Sequence, residues 1–324
     1  MPRFMCPDCT WQAKNHRFST YRSAGYDVLE HLARRLEARA RPGGLMDTHV
    51  FAAVLIAALL HAGWNSVVKV GLDRVSTVLL LALVQAQIAL PLLPFVPMPA
   101  SAAWPWIAAA ALLHAAYKLF LVQAYAHADL SQVYPLARGT APLVVTLVSV
   151  MALGADPGDA GLAAIGAISA GVLLMAAKGS SAGRMRGAAL FFALGTAGFT
   201  AGYTLVDGVG ARVAGTPSGF ILWMVVGDAA LMALWAAVTR GAAAFPALLP
   251  AWRTGLAAGA MSLGSYWIAV WAFTQAPLAL VAALRESSIL FATLIAAIVL
   301  REPVSRWRWT SAALIAGGVA IMKT

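Results

Sequence analysis

The segment at residues 114–142, HAAYKLFLVQAYAHADLSQVYPLARGTAP, places ionisable side chains within a very apolar sequence. It carries His114, Lys118, Asp129 and Arg138. A charged side chain at the centre of a bilayer costs about 2.5–3.5 kcal/mol on insertion scales, so such residues normally face protein or water. Lysine and arginine side chains that face a water-filled space inside the protein can bind an anionic solute. This segment is therefore the first candidate for a binding site.

Polar side chains recur at helical spacing in several other segments. His61, Asn65 and Lys69 follow the spacing i, i+4, i+8 and share one helix face. Comparable sets occur on four further predicted helices: His114, Tyr117 and Lys118; Ser131, Tyr134 and Arg138; Thr200, Tyr203 and Asp207; Ser262, Ser265 and Tyr266. We expect these faces to line one central cavity.

The candidate solute-binding residues are the aromatic, cationic and amide groups of these faces, together with ALRESS at residues 283–288. They are Tyr117, Lys118, Tyr134, Arg138, Arg285, Glu286, His61, Asn65 and Tyr266. The cations Lys118, Arg138 and Arg285 outnumber the deep acids Asp228 and Glu286, so the cavity would be net positive or balanced and would suit a carboxylate- or phosphate-bearing solute. The adjacent residues Arg285 and Glu286 would point about 100° apart on a helix.

Two alternatives stay open for these charges. Arg138 or Arg285 could pair with Asp228 or Glu286 and only hold helices together. If a solute is moved with protons, Glu286, Asp228 and His114 are the candidate proton carriers. Facilitated exchange explains the same residues equally well.

The composition indicates whether the chain is surrounded by water or by lipid. Of 324 residues, 61% are hydrophobic and 11% are charged, and the mean hydropathy is +0.77. Water-soluble domains have roughly a quarter of their residues charged, so a soluble globule is excluded. Apolar runs near twenty residues suit membrane-spanning helices. We expect an all-α, multi-pass protein of the inner cell membrane, with the lipid bilayer as its partner.

Ten helices are predicted. Their ranges are 49–70, 75–97, 104–126, 131–153, 158–177, 187–208, 218–238, 251–273, 277–299 and 307–323. Small residues in the fifth (Gly166, Ala167, Ala170, Gly171) and tenth (Ala312, Ala313, Ala316, Gly317) allow close helix packing, and a homodimer could use the same faces. Pro135 and Pro142 are expected to be packing kinks, with a functional hinge as the alternative.

Residues 1–45 differ from the rest of the chain. They hold eight of the 23 Lys and Arg residues and no long apolar run. Cys6 and Cys9 have zinc-knuckle spacing, but no second cysteine pair follows, so we predict no metal site. The segment is either a basic tail able to lie on a membrane surface or, as we favour, a mis-assigned extension that precedes a true start at Met46.

An internal repeat divides the remainder into residues 46–177 and 178–324. Trp104 aligns with Trp252 at an offset of 148, and Arg138 aligns with Arg285 at 147. The Ala-Gly pair at 170 and 171 aligns with residues 316 and 317 at an offset of 146. Five helices per half is an odd number, so the two halves would cross the membrane in opposite senses as inverted repeats. Solute sites in such proteins lie where the halves meet.

Three segments carry a resemblance to a known family. AYAHADLSQVYPLARGTAPLVV at residues 124–145, LLHAGWNSVVKVG at 59–71 and LREP at 300–303 resemble the EamA-type branch of the drug/metabolite transporter superfamily. The resemblance covers residues 46–324 and implies ten helices in two repeats that export or exchange small metabolites such as amino acids. One departure is that the acidic residue closing a repeat's fourth helix is Glu302 in the second half, whereas the first half offers only Asp156.

Enzymatic function has little support in the sequence. It contains no GxSxG, HExxH or P-loop motif, so we expect no enzyme, no catalytic residues and no cofactor. We also expect no nucleic-acid partner. The main hypothesis is a secondary transporter of a small metabolite by alternating access. The alternatives are a non-transporting accessory or sensor protein and a lipid-linked-sugar flippase.

The orientation in the membrane stays open. Ten Lys and Arg residues lie near the loops after odd-numbered predicted helices, which places the termini outside under the positive-inside rule. The basic segment 1–45 and the family resemblance favour cytoplasmic termini instead.

Overall fold

A computed structural model describes residues 45–67, 73–127, 130–178, 187–299, 301 and 304–323, except for the side chains of residues 66–67, 130–135 and 176. Residues 1–44 with Cys6 and Cys9, and also Lys69, Asp129 and Glu302, lie outside the described residues. Those described form α-helices joined by short turns and contain no β-strand. The all-α prediction is confirmed for this part of the chain.

Eleven α-helices are numbered here in chain order. They are α1 (Thr48–Val67), α2 (Arg74–Leu92), α3 (Trp104–His127), α4 (Leu130–Leu153), α5 (Gly158–Lys178), α6 (Gly187–Ala214), α7 (Pro217–Arg240), α8 (Trp252–Phe273), α9 (Leu278–Arg285), α10 (Ser288–Leu294) and α11 (Arg306–Lys323). Short 3₁₀ segments precede α3 and α8, and a π-helical turn, Ile295–Val299, follows α10.

Nine helical segments within the described ranges are long and apolar enough to cross a membrane. The chain is therefore a multi-pass helical membrane protein, as the hydropathy predicted. The ninth of these segments, Leu278–Val299, combines α9, α10 and the π-helical turn. The predicted tenth helix corresponds to α11, which is not among the nine because Arg306, Arg308 and Lys323 fall within its 18 residues.

The predicted helix 277–299 is interrupted in the structure. Two turn residues, Glu286 and Ser287, separate α9 from α10. The backbone N–H of Glu286 donates to the carbonyl of Ala283 at 2.9 Å, and that of Ser287 donates to Leu284 at 3.1 Å. These bonds reach back three residues instead of four, so the helix tightens and ends. The break leaves Arg285 as the last residue of α9.

The predicted helix 187–208 is longer than expected. It continues as α6 to Ala214, where Gly215 adopts a left-handed φ of 68°. Apart from Arg212, the residues of this extra part are apolar or small, and Val209, Gly210, Ala211 and Ala214 are buried. The extension moves Asp207 from a predicted helix end into the helix interior.

Helices from opposite halves of the chain pack in pairs around the centre. α1 packs on α8, α3 packs on α6, and α5 packs on α11. α2 packs on α7, while α4 packs on α6 and α1 packs on α9 and α10. Every residue of α9 is buried. α9 is thus the innermost helix and can present Arg285 to the centre of the bundle.

Small residues provide the close contact between α5 and α11, although only part of the predicted set lies there. A Cβ added at Gly171 would lie 2.8 Å from Cγ1 of Ile315 and 2.9 Å from the Ser311 carbonyl oxygen. Ala312 on the facing helix is buried. Gly166 and Gly317 have open space instead, and with Ala170, Ala313 and Ala316 they lie on the exposed side. These exposed small residues are accessible for contact with a second copy of the chain, and the homodimer stays a prediction.

We expect Gly171→Ala to destabilise the protein by about 1–3 kcal/mol, because the new methyl group would push α5 away from the α11 backbone. The matched control is Gly166→Ala on the same helix, where a Cβ meets nothing within 4 Å. Thermal unfolding of the purified proteins in one detergent measures both. Equal midpoints for the two variants would contradict this account of the helix contact.

Candidate functional site

A cavity of about 110 Å³ lies among the central helices, in the described part of the chain. Residues of α1, α2, α3, α4, α6, α7, α8 and α9 contribute to its wall. Its polar lining consists of His61, Trp64, Gln85, His114, Tyr117, Lys118, Arg138, Tyr203, Asp228, Ser262, Ser265, Tyr266 and Arg285, and apolar residues such as Leu81, Leu121 and Met224 complete it. The two halves of the chain therefore meet at one polar space.

Most of the predicted binding residues come together at this cavity. Of the nine, the six with side chains in its wall are His61, Tyr117, Lys118, Arg138, Tyr266 and Arg285. Two predicted proton carriers, His114 and Asp228, line it as well. Their roles in binding or proton transfer remain predictions.

Two of the predicted binding residues, Asn65 and Glu286, are placed differently. Asn65 is not in the cavity wall, and its Nδ2 donates to the carbonyl of His61 on its own helix at 2.7 Å. Glu286 is also outside the wall, is only 4% exposed and contacts Arg138. The side chain of Tyr134 lies outside the described part of α4. Asn65 and Glu286 are thus supporting groups in this structure.

Two of the three deep cations are paired with carboxylates. Nε of Arg138 donates to Oε2 of Glu286 at 3.0 Å, which joins α4 to α9. Nζ of Lys118 donates to Oδ2 of Asp228 and joins α3 to α7. Both pairs are almost completely shielded from solvent, so their charges are compensated within the protein.

Arg285 is the exception. Its guanidinium carbon lies 5.0 Å from the ring centroid of Tyr266, a cation–π contact. The residue is 8% exposed and lines the cavity, yet with the residues described here its side chain forms no hydrogen bond and no ion pair. Glu286 next to it points to Arg138 instead. The predicted divergence of these two neighbours is present.

Asp207 is the centre of a third polar cluster. Its Oδ2 accepts hydrogen bonds from Nε2 of His114, at 2.9 Å, and from the Tyr266 hydroxyl. The His114 ring stacks on Tyr203 with 4.1 Å between ring centroids and meets Tyr266 edge-on at 5.0 Å. Asp207 itself is 0% exposed, and its Oδ1 has no partner among the described atoms. The cluster links α3, α6 and α8.

The negative charge at the centre is larger than the two deep acids, Asp228 and Glu286, that were counted from the sequence. Asp207 was predicted to lie on a cavity-lining face of the sixth helix but was left out of that count. The structure adds Asp207, and three carboxylates then balance Lys118, Arg138 and Arg285 when His114 is neutral. For this set of groups the count favours the balanced alternative over the net positive one.

Gln85 and Trp64 line the cavity but were not among the candidate residues. Nε2 of Gln85 donates to Oγ of Ser262 at 3.0 Å, which joins α2 to α8. Nε1 of Trp64 donates to Nδ1 of His61 at 3.3 Å. Gln85 was visible in the sequence as a polar amide inside a predicted apolar helix, so the same criterion that selected Asn65 could have selected it.

A metal centre has no support in the described ranges, which contain no cluster of three or more His, Cys, Asp or Glu side chains able to hold an ion. The cavity instead offers a guanidinium, hydroxyls, imidazoles and aromatic rings. Such a set is suited to binding a small polar solute through charge and hydrogen bonds.

Comparisons with known proteins identify the fold alone. No family model and no curated protein matches the sequence. A solved structure described as "Crystal structure of protein" superposes with a TM-score of 0.64 and 18% sequence identity, and the match covers 84% of this chain and 96% of the other. At this identity the likeness extends to the fold and not to the solute or activity.

Proposed function

We propose that this protein is a secondary transporter, an exporter or exchanger, of a small carboxylate- or phosphate-bearing metabolite such as an amino acid. It works by alternating access in the inner cell membrane. The observation that carries the proposal is Arg285, a buried guanidinium that faces a central cavity while the other two deep cations are neutralised by carboxylates.

The position of Arg285 explains why a solute anion suits this site. A buried cation without a direct carboxylate partner is expensive, and an anion that enters the cavity can pair with it. The guanidinium presents several N–H donors in a plane and binds carboxylate or phosphate through two parallel hydrogen bonds. Hydroxyls of Ser262 and Tyr117 line the same cavity and can bind further polar atoms of the solute.

We also propose the ten-helix layout of two inverted repeats and membership of the EamA-type family. The helix pairs support it: α1 packs on α8 as α3 packs on α6, which are equivalent contacts under an exchange of halves. The aligned residues Trp104 and Trp252 each begin a helix, and the aligned Arg138 and Arg285 both line the cavity. In this arrangement α11 is the tenth spanning helix.

A second candidate is a non-transporting accessory or sensor protein. The pairs Lys118–Asp228 and Arg138–Glu286 favour it, because two of the three deep cations serve to join helices. This function gives no role to Arg285, whose charge faces the cavity. A transporter uses both features, with the pairs as the frame and Arg285 as the binding group.

Counterflow tests the proposal. Purified protein is reconstituted in liposomes loaded with an unlabelled amino acid, hydroxy acid or organophosphate, and uptake of the same labelled compound is followed. We expect accumulation of at least one carboxylate- or phosphate-bearing compound, and its rate should fall about 100-fold in Arg285→Ala. Protein-free liposomes are the control. If no compound of the panel accumulates above that control, the transport proposal fails.

A further inference from the structure

We propose that His114 binds the proton that accompanies a monovalent anion through this cavity, so that anion and proton move together. The inference rests on the proposed transport function and adds the coupling ion. It starts from the cluster in which His114, Asp207 and Tyr266 meet on three different helices.

The charge balance around the cavity requires a compensating charge. Three cations and three carboxylates cancel there when His114 is neutral. A monovalent anion bound at Arg285 leaves one uncompensated negative charge in a bundle surrounded by lipid, where net charge is unfavourable. One proton taken up at the site restores neutrality. One proton per monovalent anion follows from this count.

His114 is better suited to take that proton than the carboxylates. Proton binding to Glu286 or Asp228 would remove the charge of the carboxylate paired with Arg138 or Lys118 and so weaken a buried ion pair that joins two helices. Protonated His114 would instead convert its 2.9 Å hydrogen bond with the Asp207 carboxylate into a hydrogen-bonded ion pair. Imidazole also exchanges protons in the physiological range. Its side chain is 12% exposed and lines the cavity, so the proton has a route that the fully buried Asp207 lacks.

The proton and anion sites share Tyr266. Its hydroxyl donates to the same Asp207 oxygen that contacts His114, and its ring lies beside the Arg285 guanidinium. Because Oδ2 of Asp207 accepts from both neighbours, Nε2 of His114 is its donor, and Nδ1 is the nitrogen that takes the incoming proton. An anion that binds the Arg285 guanidinium is therefore one residue, Tyr266, away from the cluster that binds the proton.

Other charged or titratable groups face this region and define its field. Beside the cluster members, they are Tyr203 on α6, Tyr117 and Lys118 on α3, Arg138 on α4, Asp228 on α7, Arg285 on α9 and His61 on α1. The described residues of α2 contribute Gln85, which does not titrate. Two histidines of the described residues, His61 and His114, line this wall, and His114 is hydrogen-bonded to a carboxylate.

The test uses full-length protein in liposomes with L-lactate and L-glutamate, both monovalent anions near neutral pH. An acidic exterior should drive uphill uptake of the transported anion by the wild type, with about one proton entering per anion as read by a trapped pH dye. In His114→Gln we expect uphill uptake to fall at least tenfold, while exchange continues without dependence on the pH gradient. The matched control is His127→Gln, an exposed histidine at the end of α3, which should behave as wild type.

A second measurement does not depend on a variant. Addition of the transported anion to wild-type protein in weakly buffered detergent should take up about one proton per protein, visible as a rise in pH. Anion transport without proton uptake in either assay would overturn the inference. Proton-coupled uptake by His114→Gln would also overturn it. Both results would leave the proposed transport function intact. Failure of the wild type to move or bind either anion would overturn the coupling proposal, whereas failure with the whole counterflow panel would overturn the transport function.

Discussion

Replacing Arg285 with alanine should reduce transport of the anionic solute about 100-fold. Removal of one member of a desolvated, hydrogen-bonded charge pair costs about 2–5 kcal/mol, and about 2.7 kcal/mol corresponds to that factor. Arg285 lies in the cavity wall at the end of the fully buried helix α9, so the solute would lose the cation that its charge requires. Initial rates of uptake into liposomes at equal amounts of reconstituted protein measure the effect.

Two variants make this result specific. Arg285→Lys keeps the charge but loses the planar pair of donors, so an intermediate rate is expected. Arg253→Ala removes an exposed arginine on α8 and should leave the rate unchanged. Wild-type rates in Arg285→Ala protein that is correctly folded would show that the cation has no part in solute binding.

Replacing Arg138 with alanine should have the largest effect on stability. The substitution leaves the Glu286 carboxylate buried without its partner, and loss of one member of a buried pair typically destabilises by about 3–5 kcal/mol. Glu286 sits at the break between α9 and α10, so the loss should also loosen the segment that holds Arg285. Thermal unfolding in detergent, followed by circular dichroism, measures the change.

The double variant Arg138→Met/Glu286→Leu separates the pair from its individual charges. It removes both charges and restores an apolar contact, so we expect it to be more stable than Arg138→Ala alone. The exposed pair of Arg240 with Asp73 offers a comparison, because Arg240→Ala should cost at most about 1 kcal/mol. Equal destabilisation by Arg138→Ala and Arg240→Ala would contradict the structural role assigned to the Arg138–Glu286 pair.

Much of the fold could be predicted because lipid imposes a simple pattern. A spanning helix needs about twenty apolar residues, and the turns between helices are rich in Gly, Pro and charged residues. Helical spacing also predicted which polar faces meet, since His61, Tyr117, Lys118, Arg138 and Tyr266 line one cavity in the structure. The spacing of polar residues along a helix shows which of them share a face, even when the helix packed against that face is unknown.

The choice of partners could not be predicted in the same way. Either Arg138 or Arg285 could have paired with Glu286, and the result depends on where the break after α9 directs adjacent side chains. That break depends on tertiary contacts and on three-residue hydrogen bonds at Glu286 and Ser287, which hydropathy does not reveal. Asp207 was predicted on a cavity-lining face, but its hydrogen bonds to His114 and Tyr266 depend on helix packing and could not be predicted.

Equilibrium binding tests most directly whether Arg285 is the anion-binding group. Isothermal titration of a transported carboxylate or phosphate into purified wild type and Arg285→Gln, in the same detergent, compares the two dissociation constants without the steps of transport. We predict that the substitution raises the Kd about 100-fold while the thermal unfolding midpoint of the unliganded protein stays close to that of the wild type. Equal dissociation constants for the two proteins would contradict the account.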